Sequence, residues 1–204
     1  PYKYESEYKM TTANSRTPNV YGYYTSLKEV PQRSKGETFN GSWQAFAMND
    51  YVLRYSDIML MRAEALIELD RLAEARTIIN DIRLRAKNSV DKHIEYAKDQ
   101  CDIALYPESY FQDKETARKC LRWERRLEMA MENGRFFDLR RWGIASETLN
   151  KYFESEQKDQ YGEQTYAQYL KDAKFTPGKN EFYPVPYNQL YYIPGLYKQN
   201  KGYE

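Results

Sequence analysis

Apolar residues recur at steps of three and four along several stretches, and each such series predicts a helix with one buried side. Around residues 121–143, LRWERRLEMAMENGRFFDLRRWG, the apolar series is Cys120, Trp123, Leu127, Ala130 and Met131. Opposite it stand Arg122, Glu124, Arg125, Arg126, Glu128 and Glu132. The pattern predicts a helix with Trp123 and Leu127 on its one apolar stripe; on pattern alone the charged face has a plain reading as a solvated face with surface ion pairs. Asp113 supplies the N-cap, with the helix starting near Lys114. Gly134 is expected to stop it, because glycine takes the left-handed conformation of a helix C-cap without steric cost. Phe136 to Trp142 then reads as a second short turn. Glu132–Arg135, Arg135–Asp138 and Asp138–Arg141 are spaced as i, i+3 ion pairs.

Residues 49–69, NDYVLRYSDIMLMRAEALIEL, are apolar nearly all round, which predicts a buried helix. Arg54 and Asp57, three apart, are expected to pair. Glu64 sits between alanines and needs a partner if buried; an arginine from residues 121–143 is expected. A tight turn at Asp70-Arg71 leads to a second helix, Leu72 to about Ala86, with Ala75, Ile78, Ile79, Ile82 and Ala86 inward. Helices joined this closely are antiparallel neighbours, and the run from Ala63 to Ala75 resembles a tetratricopeptide hairpin. Residues 87–112 read as a polar loop broken by Pro107, with a short helix near 91–97. Ile144 to about Glu156 is a further helix, with Ala145, Thr148, Leu149, Tyr152 and Phe153 inward. Residues 157–174 stay ambiguous. Phe182-Tyr183-Pro184-Val185-Pro186 is extended, since a residue before proline is pushed out of the α region, and the tail is expected to be non-helical. Residues 1–48 lack helical periodicity and are punctuated by Pro18, Gly22, Pro31, Gly36 and Gly41.

The chain's 204 residues suffice for one ordinary core. Its 31 basic and 30 acidic side chains leave a net charge of +1, which argues against a nucleic-acid surface. Cys101 and Cys120 make no disulfide framework, and whether they pair stays open. No apolar run approaches the ~18 residues that would span a bilayer. Phosphate loops, G-x-S-x-G and H-E-x-x-H are missing, and no cofactor or metal is expected. His93, the one histidine, reads as a solvated loop residue. Asp99 and Asp102 flank Cys101, but calcium wants six to eight oxygens. Glu124 and Glu128 share one helix face, where salt bridging is favoured over the facing carboxyls that a glycosidase needs. The 21 tyrosines stand out. Tyrosine suits a surface that binds something wet, and equally packs under irregular loops.

The order ER-x-L-E-x-A-x-E-x-G-R-x-x-D-L-R-R-W-G, carried by Glu124 through Gly143, resembles the hallmark of the SusD/RagB family. Arg54-Tyr55-x-Asp57 with Ala63-Glu64-Ala65-Leu66, the helix ending Arg83-Leu84-Arg85-Ala86, and the closing Gln199-Asn200-x-Gly202-Tyr203 match it too. Val185-Pro186 stands where the family usually has Ile-Pro. The resemblance covers residues 49–204, which correspond to the C-terminal part of a member; residues 1–48 are expected to continue from an N-terminal half outside this chain. It implies a mainly α fold of tetratricopeptide-like hairpins with long irregular segments packed on them. The implied function is non-enzymatic. A surface-exposed outer-membrane lipoprotein, anchored by a lipid outside this chain, captures oligosaccharides or peptides and passes them to a SusC-like TonB-dependent transporter. Family ligand loops map loosely onto residues 19–48, making Tyr21, Tyr23, Tyr24, Asn40 and Trp43 the candidate ligand contacts. Arg54, Asp57, Glu64, Glu124, Arg125, Asp138 and Arg141 are expected to be structural, tying the two anchor stretches, 49–69 and 121–143, together by buried or half-buried ion pairs. A helical interaction scaffold without a small ligand, and a glycoside hydrolase, remain the other readings.

Overall fold

Leu60, Ala63 and Ile67 repeat at helical steps and are fully shielded from solvent. They form the inner side of helix α1, Tyr55–Glu68, in a computed structural model that describes residues 28, 51–93, 102–157, 170 and 172–204. Helix α2 spans Leu72–His93. A 3-10 turn, Glu108–Phe111, leads to α3, Lys114–Glu128. Then come α4, Arg135–Arg141, α5, Ala145–Gln157, and α6, Tyr187–Tyr192. No strand occurs among the described residues. The mainly α, tetratricopeptide-like expectation holds.

The described residues up to Asn133 form one compact unit, and those from Gly134 onward form a second. In the first, α1 and α2 make the expected antiparallel hairpin. Asp70 sits at φ 59°, in the left-handed region. That lets Arg71 N donate to Leu66 O at 2.9 Å and Asp70 N to Ile67 O at 3.0 Å, closing the end of α1. Helix α3 lies against both arms. Leu66, Ala75, Ile79, Ile82, Phe111, Ala117, Cys120 and Leu121 complete the core around the α1 residues. The α3 N-terminus is capped as expected, Thr116 N donating to Asp113 Oδ1 at 2.9 Å.

Four sequence expectations are corrected here. First, α1 starts at Tyr55, not Asn49, because Arg54 is extended at φ −115°, ψ 151°. It is not buried all round either: Ile58 and Met61 are exposed, since α2 and α3 cover only its Leu60–Ile67 side. Second, α3 keeps Cys120 inside as expected but is turned over beyond it. Trp123 is 51% exposed and Leu127 50%, whereas Glu124 and Arg125 are 4% and 7%. Its buried series is Ala117, Cys120, Leu121, Glu124 and Arg125, apolar for two turns and ionic thereafter. Third, Gly134 caps no C-terminus. Its φ is −74°, at the start of α4, and the left-handed positions are Met131 at 66° and Asn133 at 60°. Fourth, α2 runs on to His93 and takes in 91–93, the start of the separate short helix expected near 91–97. The segment from 102 is not a free loop. Asn80 Nδ2 donates to Tyr106 O at 3.0 Å, and Tyr106 N to Asn80 Oδ1 at 2.8 Å.

In the second unit Gly143, at φ 69°, ends α4. Gly143 N donates to Arg140 O and Ile144 N to Leu139 O, each at 3.0 Å. This turn brings α5 back so that Leu139, Ala145 and Phe175 form a small core with Phe136, Ile144, Leu149 and Phe153. Tyr152, expected inward, is exposed. Asn150 on α5 holds Phe175 through Phe175 N to Oδ1 at 2.8 Å and Nδ2 to Phe175 O at 3.0 Å. The tail carries no helix from Tyr183 to Pro186, as expected, but then makes the unexpected α6. There Pro186 O accepts from Gln189 N at 2.9 Å, proline being well placed at a helix start.

The inverted α3 separates two substitutions of the same residue type. Leu121→Ala should destabilise by about 2–5 kcal/mol, the range for a buried leucine. Leu127→Ala should stay within about 1 kcal/mol, because half its side chain already meets water. Urea unfolding of both variants measures the difference; equal losses would mean that the charged side of α3 faces out.

Candidate functional site

The buried ionic side of α3 is answered on all sides by the hairpin. Arg54 lies just before α1 and reaches the far end of α3. Its Nε donates to Glu132 Oε2 at 2.9 Å, and Nη1 to Glu128 Oε1 and Ser56 Oγ, both at 2.8 Å. Nη2 donates to Glu128 O at 2.9 Å, contacts Met129 Sδ at 3.2 Å, and lies 2.7 Å from Glu132 Oε1. A guanidinium has five N–H donors in a fixed fork, and this setting uses the whole fork. Lys28 Nζ joins it, donating to Glu128 O at 2.9 Å and Ala130 O at 3.0 Å and pairing with Glu132. Two cations thus sit on the Glu128 carbonyl at the end of α3, where the helix dipole is negative.

Deeper in, Arg125 Nη1 donates to Asp57 Oδ1 at 2.6 Å. Arg83 Nη1 donates to Glu124 Oε2 at 2.7 Å, while its Nε takes Ala104 O at 2.6 Å. Arg85 Nη2 donates to Glu128 Oε2 at 2.6 Å. The expected Arg54–Asp57 pair is therefore replaced: each residue reaches α3 instead. The i, i+3 spacing gave only proximity, whereas α3 offers buried counter-charges. Glu132, for its part, is held by Arg54 and Lys28 in the first unit. Glu64 is half-buried. Asp138 and Arg141 lie in the second unit, where Arg141 Nε donates to the buried Asp138 Oδ1 at 3.0 Å and its guanidinium stands 4.8 Å over the Trp142 ring. Reading the sequence did not single out Arg83, Arg85 and Lys28 as partners. For the two arginines a signal existed, since both sit in the R-x-RA helix ending; for Lys28 none did.

Burial pushes Glu124 above the ordinary glutamate range, against the pull of the Arg83 hydrogen bond. Burial would also raise Glu132, but hydrogen bonds from Arg54 and Lys28 outweigh it and hold the group below the ordinary 4.5. Tyr106, under the Arg83 guanidinium, is pushed up to about 12 by burial. Glu124 and Glu128 are both tied to arginines, an arrangement suited to holding helices together.

A cavity of about 380 Å³ opens beside this cluster, between the start of α1 and the middle of α2. Met59 and Ile82 line its inner part, Tyr51 and Tyr55 its exposed part, with Arg85 and Asp81 contributing charge. The candidate ligand contacts Tyr21, Tyr23, Tyr24, Asn40 and Trp43 lie outside the described residues. So do Asp99 and Cys101. Cys120 is a buried free thiol. No group of three or more metal-binding side chains occurs among the described residues, and no described helix is long and apolar enough to cross a membrane.

Removing one partner of a buried ion pair costs about 3–5 kcal/mol, because a charge is left behind unpaired. Arg54→Ala should lose about that much, and Arg54→Lys should recover little, since an ammonium cannot replace the fork. Full recovery by lysine in thermal melts would show that charge alone suffices. The pH profile supplies a second check. A carboxylate depressed on folding adds stability that is present above its unfolded value and lost as pH falls through the folded value. Glu124, shifted upward, acts in the opposite sense. The loss of stability on acidification below 4.5 should therefore be shallower in Glu132→Gln than in the parent, as read from melting temperatures between about pH 3 and 6.

The hairpin, the ionic cluster on α3 and the closing Gln199–Tyr203 segment all lie inside one family match. The sequence profile of the SusD family matches residues 2–203. No curated protein is found to match the chain. The family is one of nutrient-binding proteins associated with the outer membrane. With residues 2–203 under that profile and its charged helix locked to a helical hairpin, the chain belongs to the SusD family.

Proposed function

We propose that this protein captures oligosaccharides, or peptides, at the bacterial surface and passes them to a TonB-dependent transporter in the outer membrane, without catalysing a reaction. Membership of a substrate-binding family carries the reading. Two features of the chain favour a neutral ligand. Its charges nearly cancel, at a net +1, and tyrosine occurs 21 times. Many of the charges described above are already engaged with one another across the helices. Ring faces then supply the recognition, stacking on the apolar faces of sugars, while Asn and Arg groups take hydroxyls. Tyr21, Tyr23, Tyr24, Asn40 and Trp43 are the proposed contacts, and an N-terminal lipid would hold the protein at the membrane.

Calorimetric titration with a panel of neutral oligosaccharides and peptides tests this. Binding should change little between low and physiological salt, because screening acts on charges and hardly on stacking. Trp43→Ala should lose more affinity than any single Lys→Ala. A steep salt dependence with normal binding by Trp43→Ala would point to a charged ligand on another surface. Release of reducing sugar would establish the hydrolase reading, and silence of the whole panel would favour the scaffold.

A further inference from the structure

Residues 182–197 run without one Lys, Arg, Asp or Glu, in a chain of which 30% is charged. Tyr183, Tyr187, Tyr191 and Tyr192 nevertheless stand in water, Tyr187 at 75% exposure and Tyr192 at 74%. A solvated loop does not need such a composition: large apolar surface left exposed and contiguous is commonly a binding surface.

The segment is held by design of its sequence. Gln199 closes its base like a peptide group, taking Val185 N on Oε1 at 2.7 Å and giving Nε2 to Val185 O at 3.1 Å. Asn200 Nδ2 donates to Tyr183 O at 2.6 Å, and the Tyr203 hydroxyl to Phe182 O at 3.1 Å. Gly202, at φ 84°, lets Lys179 pack where a Cβ would come within 3.0 Å of its side chain. Lys179 in turn lies 4.7 Å over the Tyr203 ring. Within the closed loop, α6 sets Tyr187 and Tyr191 one turn apart, with centroids 6.0 Å apart and planes inclined by only 20°. Tyr192 meets Tyr191 edge-on at 5.9 Å.

We propose that this loop is a second carbohydrate-binding surface, specific for neutral polysaccharide. Tyr187 and Tyr191 offer ring faces to the apolar faces of pyranose units, and the exposed Asn188 and Gln189 carboxamides beside them take hydroxyls. The proposal rests on the capture reading above and adds a site away from the candidates at residues 21–43. Composition favours a neutral ligand: residues 182–197 carry no ionic side chain of their own, and the cations recorded against the segment, Lys198 beside the closing Gln199 and the Arg140 guanidinium 5.2 Å over the Phe182 ring, stand at its two ends in sequence. Chemistry narrows it further, since phenol rings with hydroxyl tips and neighbouring carboxamides match a surface that is apolar on its faces and hydroxylated at its rim. Closure by Gln199 means that little order remains to be imposed on binding. A second surface acts through avidity, so it favours polymers over short oligosaccharides.

The test is retardation of the full chain in native gels cast with a neutral glucan or a neutral mannan. The parent should be retarded. Tyr187→Ala/Tyr191→Ala should weaken the apparent affinity by about tenfold or more. Tyr187→Phe/Tyr191→Phe should keep most of it, because the ring faces remain. Both tyrosines are exposed, so the variants should melt with the parent. Retardation of the double alanine variant equal to the parent overturns the proposal. If Trp43→Ala alone then abolishes retardation, the capture reading stands without this surface. Failure of the parent to be retarded by either polymer counts against capture of neutral glycan itself, and is seen before any loop variant is made. Loss of transporter co-purification by the double alanine variant, with retardation intact, also overturns it and makes the loop a protein-docking face.

Discussion

Much of the first unit depends on the Arg54 fork closing over the end of α3. The guanidinium reaches two carboxylates and the Glu128 carbonyl at 2.9 Å or less. Its effect is topological as well as energetic. It fastens the residue before α1 to the last turn of α3, so the hairpin and the third helix cannot slide past one another. With Lys28 it also occupies the carbonyls that an extended α3 would need for its next turn. That accounts for a helix ending at Glu128 rather than at Gly134. The bonds to Glu128 and Glu132 outweigh the cost of burying Arg54 and raise its pKa, so it stays charged throughout the physiological range.

Irregular segments are secured by a different device, seen three times among the described residues. Asn80 grips Tyr106, Asn150 grips Phe175, and Gln199 grips Val185, each through one accepted and one donated bond to the same residue's backbone. A carboxamide presents the donor and acceptor of a peptide group on a side chain. It can therefore satisfy an extended backbone where no strand is at hand. Each grip fixes one point of a segment.

These two devices divide the labour. Ionic side chains are drawn inward or onto the helix seams, where they hold elements in place. Glu124 and Glu128 are committed to Arg83, Arg54 and Arg85 in this way. Display falls to the segments that the carboxamides hold. The loop between Val185 and Gln199 shows the outcome: an anchored base, no charged residue before Lys198, and tyrosines turned to solvent.

Local chemistry was legible in the chain by itself. The Asp113 cap, the tight turn after Leu69 and the inward Ala75–Ile79–Ile82 series each depend on residues a few positions apart, and each reads correctly. So does the family, because its signature is a matter of order and spacing. What tertiary structure decided is which side of α3 is inside. By hydropathy Trp123 and Leu127 outrank Glu124 and Arg125, and a single helix offers no reason to reverse them. The reason lies on α1 and α2, where Arg54, Asp57, Arg83 and Arg85 arrive as counter-charges from tens of residues away. The same holds for Arg54 and Asp57, whose spacing allowed a pair that stronger distant partners replaced. Periodicity records how often a residue can face the core, but the cost of burying a charge depends on what meets it there, and only the packed fold sets that.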